Sequence, residues 1–304
     1  SPGWLAELVP AFSDSRVVAV GGLVDGMCTE SAVDRYEAVM SSLSLGARER
    51  SGSDGHDTFY LPSCNLLVRR GAFLAARGFE DSMHVGEDVD LTWRLRDAGW
   101  TICYLPVGRV YHEHRSSLRS FMSRRFDYGT SEGMLQRLHP QRRKQMVVPP
   151  LLAILLGLLL TAPLAGWWTI LPVTLLLAAD SVAARVRTAR RGVPVGFFDL
   201  VGGRLRALWS LVYYLSYHLL RYYALPLLAL PLLNPALALL PVGFFLCASR
   251  VDYSVRKPHL AFLTFAGIYL LEQVAYGCGV FWGCLSRRTF SSYRVAVLAH
   301  AAQA

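Results

Sequence analysis

The sequence predicts an α/β domain over residues 1–146, followed by an α-helical membrane domain over residues 147–304. Charge divides the chain first. Residues 1–146 carry 18 Lys+Arg and 18 Asp+Glu, whereas residues 147–304 carry 13 basic and 4 acidic groups, so the whole formal +9 belongs to the second part. In the first part, short β-branched runs alternate with amphipathic helical stretches, the pattern of helices laid on a sheet. In the second, residues 147–179 and 222–249 carry no charge, and residues 258–285 carry only Glu272. Runs of that length exceed an ordinary core helix and suit a bilayer. A mean hydropathy of +0.32 agrees.

The elements follow in order. Pro2 precedes an amphipathic run (Trp4, Leu5, Leu8, Val9, Phe12) that reads as a short helix. Val17 to Gly22 is a buried strand by its β-branched content. Val33, Tyr36, Val39, Met40 and Leu43 predict a helix within 29–45, with Thr29 as its N-cap. Residues 46–57, rich in Gly, Ser and charge, read as a mobile surface loop. Phe59 to Leu61 and Ser63 to Val68 read as strand with a break at Pro62, and Arg70 to Arg77 as a helix closed by Gly78. Trp100 to Leu105 and Val110 to His114 are expected strands, and Ser116 to Leu135 an amphipathic helix.

Between these lies Gly86-Glu87-Asp88-Val89-Asp90-Leu91, three carboxylates within four residues. Leu91, Leu95 and Ala98 repeat at helical spacing, Asp90 stands four before Arg94, and Gly99 is a C-terminal stop. Glu87 and Asp88 thus fall in or near a first turn, where free N–H groups and the helix dipole favour anions. Acidic residues there are also ordinary helix-start residues, and spacing alone leaves both readings open. His112 and His114, two apart, share a face if both lie on a strand; that suits metal ligation or a satisfied pair. The adjacent Arg124 and Arg125 suit phosphate oxygens or a solvated face equally.

The run Cys64-Asn65-Leu66-Leu67-Val68-Arg69-Arg70…Gly78-Phe79-Glu80…Gly86-Glu87-Asp88-Val89-Asp90-Leu91…Arg94-Leu95…Gly99 resembles the acceptor half of family 2 glycosyltransferases. The resemblance implies the C-terminal part of a GT-A, Rossmann-like domain. It makes the second acidic residue of the pair, Asp88, the catalytic base, with Glu87 and Asp90 as orienting or pairing groups, Asp90 on the substrate side. By position it puts Asn65 beside donor sugar or acceptor, Arg124 and Arg125 beside the leaving diphosphate, and His112 near the phosphates or the metal. A divalent metal, Mg or Mn, is expected from the family, held mainly by an Asp-x-Asp motif. In the family that motif shortly precedes a Pro-Gly-Trp-Leu segment such as Pro2 to Leu5, so the chain is expected to begin inside a catalytic domain and to be inactive alone. The Gln-x-x-Arg-Trp motif of processive relatives is altered, with Met122 for Gln and Phe126 for Trp. Arg124-Arg125-Phe126-Asp127-Tyr128-Gly129 and Ala275 to Leu285 resemble the mycofactocin-system branch. That branch implies an inverting transfer of glucose from UDP-glucose to a small peptide-derived redox cofactor.

Arg142-Arg143-Lys144 and Arg185, Arg187, Arg190 and Arg191 flank the first apolar run, and their common side is expected to be cytoplasmic. The expected location is the plasma (inner) membrane, multi-pass, with membrane lipid as a partner. Residues 197–221, mixed in character, fit an interfacial helix or a further span. Glu272, costly in lipid, is expected to face other helices or a water pocket. The basic residues flank apolar runs instead of forming a soluble face, which excludes a nucleic-acid partner. The 6 cysteines have no metal-type spacing and read as buried thiols. Two rival functions stay open: a polyprenyl-phosphate or cell-envelope glycan transferase with a lipid-linked acceptor, and a non-catalytic membrane scaffold.

Overall fold

The structure, a computed structural model, describes residues 2–53 and 57–299. It divides into two compact units, Ser1–Lys144 with Asp252–Ala296, and Gln145–Val251 with Val297–Ala304. The helical residues 252–296, which the sequence reading grouped with the membrane part, therefore fold with the first unit.

The first unit opens with α1 (Trp4–Leu8), which tightens into a 3-10 turn and leads to β1 (Val17–Gly21), buried along its whole length. After β2 (Val24–Gly26) comes α2 (Ala32–Met40). Its N-cap is Ser31, not Thr29: the Ser31 hydroxyl accepts from the N–H of Asp34, and the Asp34 carboxylate accepts from the N–H of Ser31. A reciprocal box satisfies two end donors at once, so it fixes the helix start there. Within the expected loop lies a short strand, β3 (Arg50–Gly52), and residues 54–56 of that loop lie outside the described residues. Phe59 to Leu61 form no strand. The Phe59 carbonyl accepts instead from the Trp93 indole and the Arg96 guanidinium, each at 3.1 Å, so side chains take the place of a ladder.

Next come β4 (Leu66–Val68), α3 (Arg70–Ala75), α4 (Glu87–Asp97), β5 (Thr101–Tyr104), β6 (Val110–His112) and α5 (Leu118–Leu138). The main sheet runs β3-β5-β1-β4, with β1 parallel to β5 and antiparallel to β4, and β3 antiparallel to β5. β2 and β6 form a separate parallel pair. The sheet is thus mixed. Val18, Ala19, Leu61, Leu91, Leu95, Ile102 and Tyr104 fill the core between it and α4.

The second unit holds α6 (Pro150–Leu160), α7 (Ala162–Ala165), α8 (Ile170–Arg190), α9 (Phe197–Tyr222), α10 (Ala224–Ala229) and most of α11 (Leu239–Arg256). Residues 197–221 are thus one continuous helix. Leu152, Leu155, Leu177, Leu208 and Leu211 join α6, α8 and α9 in a core, and Arg204 reaches Asp180 at 2.8 Å. Much of the apolar surface stays outside. Trp167 and Trp168 stack with ring centroids 3.9 Å apart while about two thirds exposed. Ala162–Arg190 and Pro235–Arg256 are long and apolar enough to cross a membrane, and only 11% and 22% of their apolar windows are buried.

A third helix of that length and character, α12 (Phe262–Arg287), belongs to the first unit, with 50% of its window buried. It lies along α5 at backbone contact. A Cβ on Gly129 would strike the Tyr276 carbonyl, one on Gly279 the Phe126 carbonyl, one on Gly133 the backbone of Gly283, and one on Gly283 that of Thr130. Two facing Gly-x-x-x-Gly pairs therefore let the helices touch, as small residues do in closely crossed helices.

Candidate active site

The site builds on the start of α4. Its N-cap, Gly86, has φ 80°, and a Cβ there would come within 3.0 Å of Ser131 on α5, so conformation and space both call for glycine. Asp88 Oδ2 accepts from the backbone N–H of Ser63 at 3.0 Å, and Oδ1 from that of Val89 at 2.8 Å. These bonds fix the carboxylate under the Pro62-Ser63-Cys64 turn. Burial pushes the Asp88 carboxyl up to about 6; the Ser63 N–H opposes the shift and the Glu87 charge adds to it. Burial and the Asp88 charge together push the Cys64 thiol up to about 11 and raise the Tyr60 hydroxyl as well. The Glu87 side chain makes no hydrogen bond or ion pair among the described residues. A positioned carboxylate whose proton affinity lies close to neutral pH is suited to proton abstraction.

Both carboxylate oxygens of Asp90 have partners within the fold. Its Oδ2 pairs with Arg94 at 2.7 Å and its Oδ1 lies 2.9 Å from Nε2 of His139. Burial disfavours its charge, but the hydrogen bonds from His139 and Arg94 hold its carboxyl below the usual value. Both oxygens are thus engaged in tying α4 to the end of α5. The Asn65 amide nitrogen donates to the carbonyls of Leu23 at 2.9 Å and Gly108 at 2.7 Å, while Oδ1 is buried without a hydrogen-bond partner among the described residues. A Cβ on Gly22 would collide with that same amide.

The arginines part company. Arg125 is buried between two carboxylates, Glu37 at 3.0 Å and Glu272 at 3.3 Å. Its charge is offset inside the fold and is not free for a diphosphate. Arg124 instead lies half-buried with its guanidinium 5.0 Å from the Tyr128 ring centroid. Arg142, expected as membrane-flanking charge, is among the most buried side chains of the protein. It pairs with Asp97 at 2.5 Å and lies over the Trp93 ring.

The rings of His112 and His114 stand 4.9 Å apart, although β6 ends at His112. Burial lowers both, His114 to about 4, with His112 and Arg125 acting the same way on His114. Among the described residues no three of His, Cys, Asp and Glu converge to hold a metal. His112 therefore gains no companion ligands, and the described residues do not fit a divalent metal. Sequence reasoning missed Tyr60, Glu37 and His139.

With that geometry in view, a family profile described as "Glycosyltransferase like family 2" matches residues 1–127. The "Pre-mycofactocin glycosyltransferase" of Mycobacterium tuberculosis, in strains CDC 1551 / Oshkosh and ATCC 25618 / H37Rv, is 30% identical over 303 residues. That alignment covers 96% of this chain and 63% of the relative, so the chain spans under two thirds of the length of those proteins. "Succinoglycan biosynthesis protein ExoA" of Rhizobium meliloti (strain 1021) is 27% identical over 136 residues, 44% of this chain and 40% of that protein. The Glu87-Asp88 helix start and the turn that clamps it lie within the matched stretch. Residues 1–127 thus carry the sequence pattern of glycosyltransferase family 2.

Proposed function

We propose that the chain supplies the acceptor half of an inverting hexosyltransferase in which Asp88 is the general base. The observation that carries this reading is the Asp88 carboxylate itself. It is aimed by two backbone N–H groups and raised to about 6 at the start of α4. In a single displacement the acceptor hydroxyl attacks the anomeric carbon of a nucleoside-diphosphate sugar. Its proton passes to Asp88 as the new C–O bond forms and the diphosphate departs. A base so placed contributes roughly 10²–10⁴-fold. Glu87 keeps the local potential negative and so favours the proton on Asp88. Arg124, not Arg125, is the arginine able to face the departing anion, because among the described residues no carboxylate pairs with it. Family 2 enzymes generally use a divalent metal, but no step is assigned to one here, since the described residues do not hold it.

The donor we assign is UDP-glucose, and the acceptor a hydroxyl of the peptide-derived cofactor precursor, pre-mycofactocin. The support is the likeness to the M. tuberculosis relatives over 96% of this chain. A second reading, an envelope-glycan or polyprenyl-phosphate transferase, draws on the likeness of 136 residues to the Rhizobium protein and on the exposed apolar helices. Both readings place the protein in a membrane, through Ala162–Arg190 and Pro235–Arg256. The test is transfer from radiolabelled UDP-glucose by the membrane-embedded protein carrying its natural upstream residues. Peptide-derived and polyprenyl-phosphate acceptors are offered in parallel. Label on the peptide-derived acceptor supports the first reading, and label only on the lipid replaces it with the second. Transfer to neither acceptor refutes both.

A further inference from the structure

Helix α12 has the composition of a membrane span, yet it delivers one carboxylate into the first unit. Glu272 Oε2 accepts from the Tyr36 hydroxyl at 2.6 Å, and Oε1 lies 3.3 Å from Nε of Arg125. Nη2 of the same guanidinium lies 3.0 Å from Oε1 of Glu37 on α2. Three helices thus meet at one arginine, and all three charged side chains are 7% exposed or less. Two carboxylates share one cation, which leaves a surplus negative charge whenever both are ionised. Packing alone gives no reason for this, since buried ion clusters are often replaced by apolar side chains without loss.

The cluster is connected to the Asp88 site. Arg125 stacks 4.9 Å from the Phe121 ring centroid and 5.8 Å from that of Tyr128, and its field reaches the Tyr60 hydroxyl, which also feels Asp88. Further along α5, Ser131 abuts Gly86, the residue that starts α4. The glycine contacts between α5 and α12 leave no slack between the two helices. A shift of Arg125 is therefore passed along α5 to the helix start that carries Asp88.

We propose that Glu272 is a positioning residue for the Asp88 site, acting through Arg125 to hold α5 against the start of α4. The proposal rests on the reading of Asp88 as the base. The groups facing Glu37 are Arg125 from α5, Glu272 from α12, His114 after β6, and Asp34 from its own helix. Burial pushes Glu37 up to about 7; Arg125 opposes this and Glu272 adds to it. Glu37 ionises as pH rises through about 7, and it then repels Glu272 across the shared guanidinium. Transfer should fall there, above the rising limb set by Asp88.

The test compares wild type with Glu272→Gln, which keeps an acceptor for Tyr36 and removes the charge. Both kcat and KM are measured from pH 5 to 9, together with the thermal midpoint over the same range. The expected result is a fall in kcat of roughly 10-fold with KM unchanged, the size a small misplacement of a catalytic group produces. The fall in kcat above pH 7 should also disappear, because Glu37 then ionises without a second carboxylate opposing it. Glu272→Asp should restore part of kcat. The thermal arm needs no activity: the raised Glu37 makes wild type lose stability as pH climbs from about 4.5 through 7, and the variant should lose less. If Glu272→Gln fails to fold, Tyr36→Phe, which removes only the hydrogen bond to Glu272, should lower kcat in the same way. A pH profile of unchanged shape, with kcat falling only in step with the thermal midpoint, overturns the proposal. Absence of transfer by wild type overturns the reading on which it rests, while the thermal arm still reports whether the cluster exists.

Discussion

The carboxylate of Asp88 accepts its Oδ2 hydrogen bond from the backbone N–H of Ser63, 3.0 Å away and 25 residues earlier in the chain. The Ser63 side chain takes no part in it. Ser63→Ala should therefore leave transfer within a few-fold of wild type. Asp88→Asn, which keeps the shape and removes the proton acceptor, should lower kcat by roughly 10²–10⁴-fold with donor affinity intact. Initial-rate kinetics and donor titration on both variants check this. Turnover of Asp88→Asn near wild type removes Asp88 from the role.

The raised Asp88 fixes a pH dependence. A base must be ionised to accept a proton, so kcat/KM should rise with pH through about 6, ahead of the fall that ionisation of Glu37 brings above about 7. Stability runs the other way. The folded carboxyl binds its proton more tightly than the unfolded one, whose ordinary value is 3.8, so this group's contribution is complete at low pH and lost as pH rises through about 6. Asp88→Asn should then melt above wild type at pH 7.5, with the gap closing towards pH 4. A variant that melts lower at both pH values contradicts the cost of ionising this group.

Arg142 tests the framework behind the site. Its guanidinium is nearly inaccessible, pairs with Asp97 and bonds to the Asp57 carbonyl, while neighbouring Arg143 is exposed. Truncating Arg142 removes the packing on Trp93 and leaves the Asp57 carbonyl without this donor, a loss of about 1–3 kcal/mol for the hydrogen bond before the packing is added. Arg142→Ala should lose most of its folded yield, and Arg143→Ala should match wild type in thermal midpoint. Equal midpoints for the two variants would return Arg142 to the role of a flanking surface charge.

Those arginines show where the sequence was readable. The start of α4 was legible because glycine, acidic residues and the leucine repeat all act locally, within a few residues of one another. Strand β1 was legible for the same reason, through its β-branched run. Arg142 was not, because its carboxylate partner lies 45 residues away and three basic residues before an apolar run look alike. The Asp90–Arg94 spacing was readable, but the tie from Asp90 to His139, brought in from the end of α5, was not. Glu272 was recognised as costly in lipid, but its partners on α2 and α5 are set by tertiary packing that periodicity does not encode.

The exposed apolar helices of the second unit have the length and composition to enter a bilayer. Trp167 and Trp168 lie exposed before α8, and Arg185, Arg187, Arg190 and Arg191 lie exposed at its far end. A helix of 21 residues rises about 31 Å, close to the thickness of a hydrocarbon core. The protein should sediment with membranes and stay there through a carbonate wash. Quantitative recovery without detergent would refute the membrane reading.

The last prediction concerns the contact between α5 and α12. At Gly129 the room for a side chain is occupied by the Tyr276 carbonyl and the backbone N of Val280, atoms that no rotamer change can move. A methyl group there must push the helices apart. Overpacking of that kind costs about 1–3 kcal/mol, or more where only backbone can yield. Separation would also stretch two polar ties that span the pair, Glu272 to Arg125 and the Tyr276 hydroxyl to Glu132, the second of which is 2.6 Å long. Gly129→Ala should therefore lower the thermal midpoint well below that of Gly157→Ala, whose Cβ meets nothing within 4 Å on a helix of the second unit. It should also lower kcat beyond what its folded fraction explains, because Ser131, two residues on, abuts the start of α4. Circular-dichroism melting and active-fraction-corrected kinetics on the two variants separate these effects. Equal midpoints would mean that α12 does not lie against α5 at backbone distance.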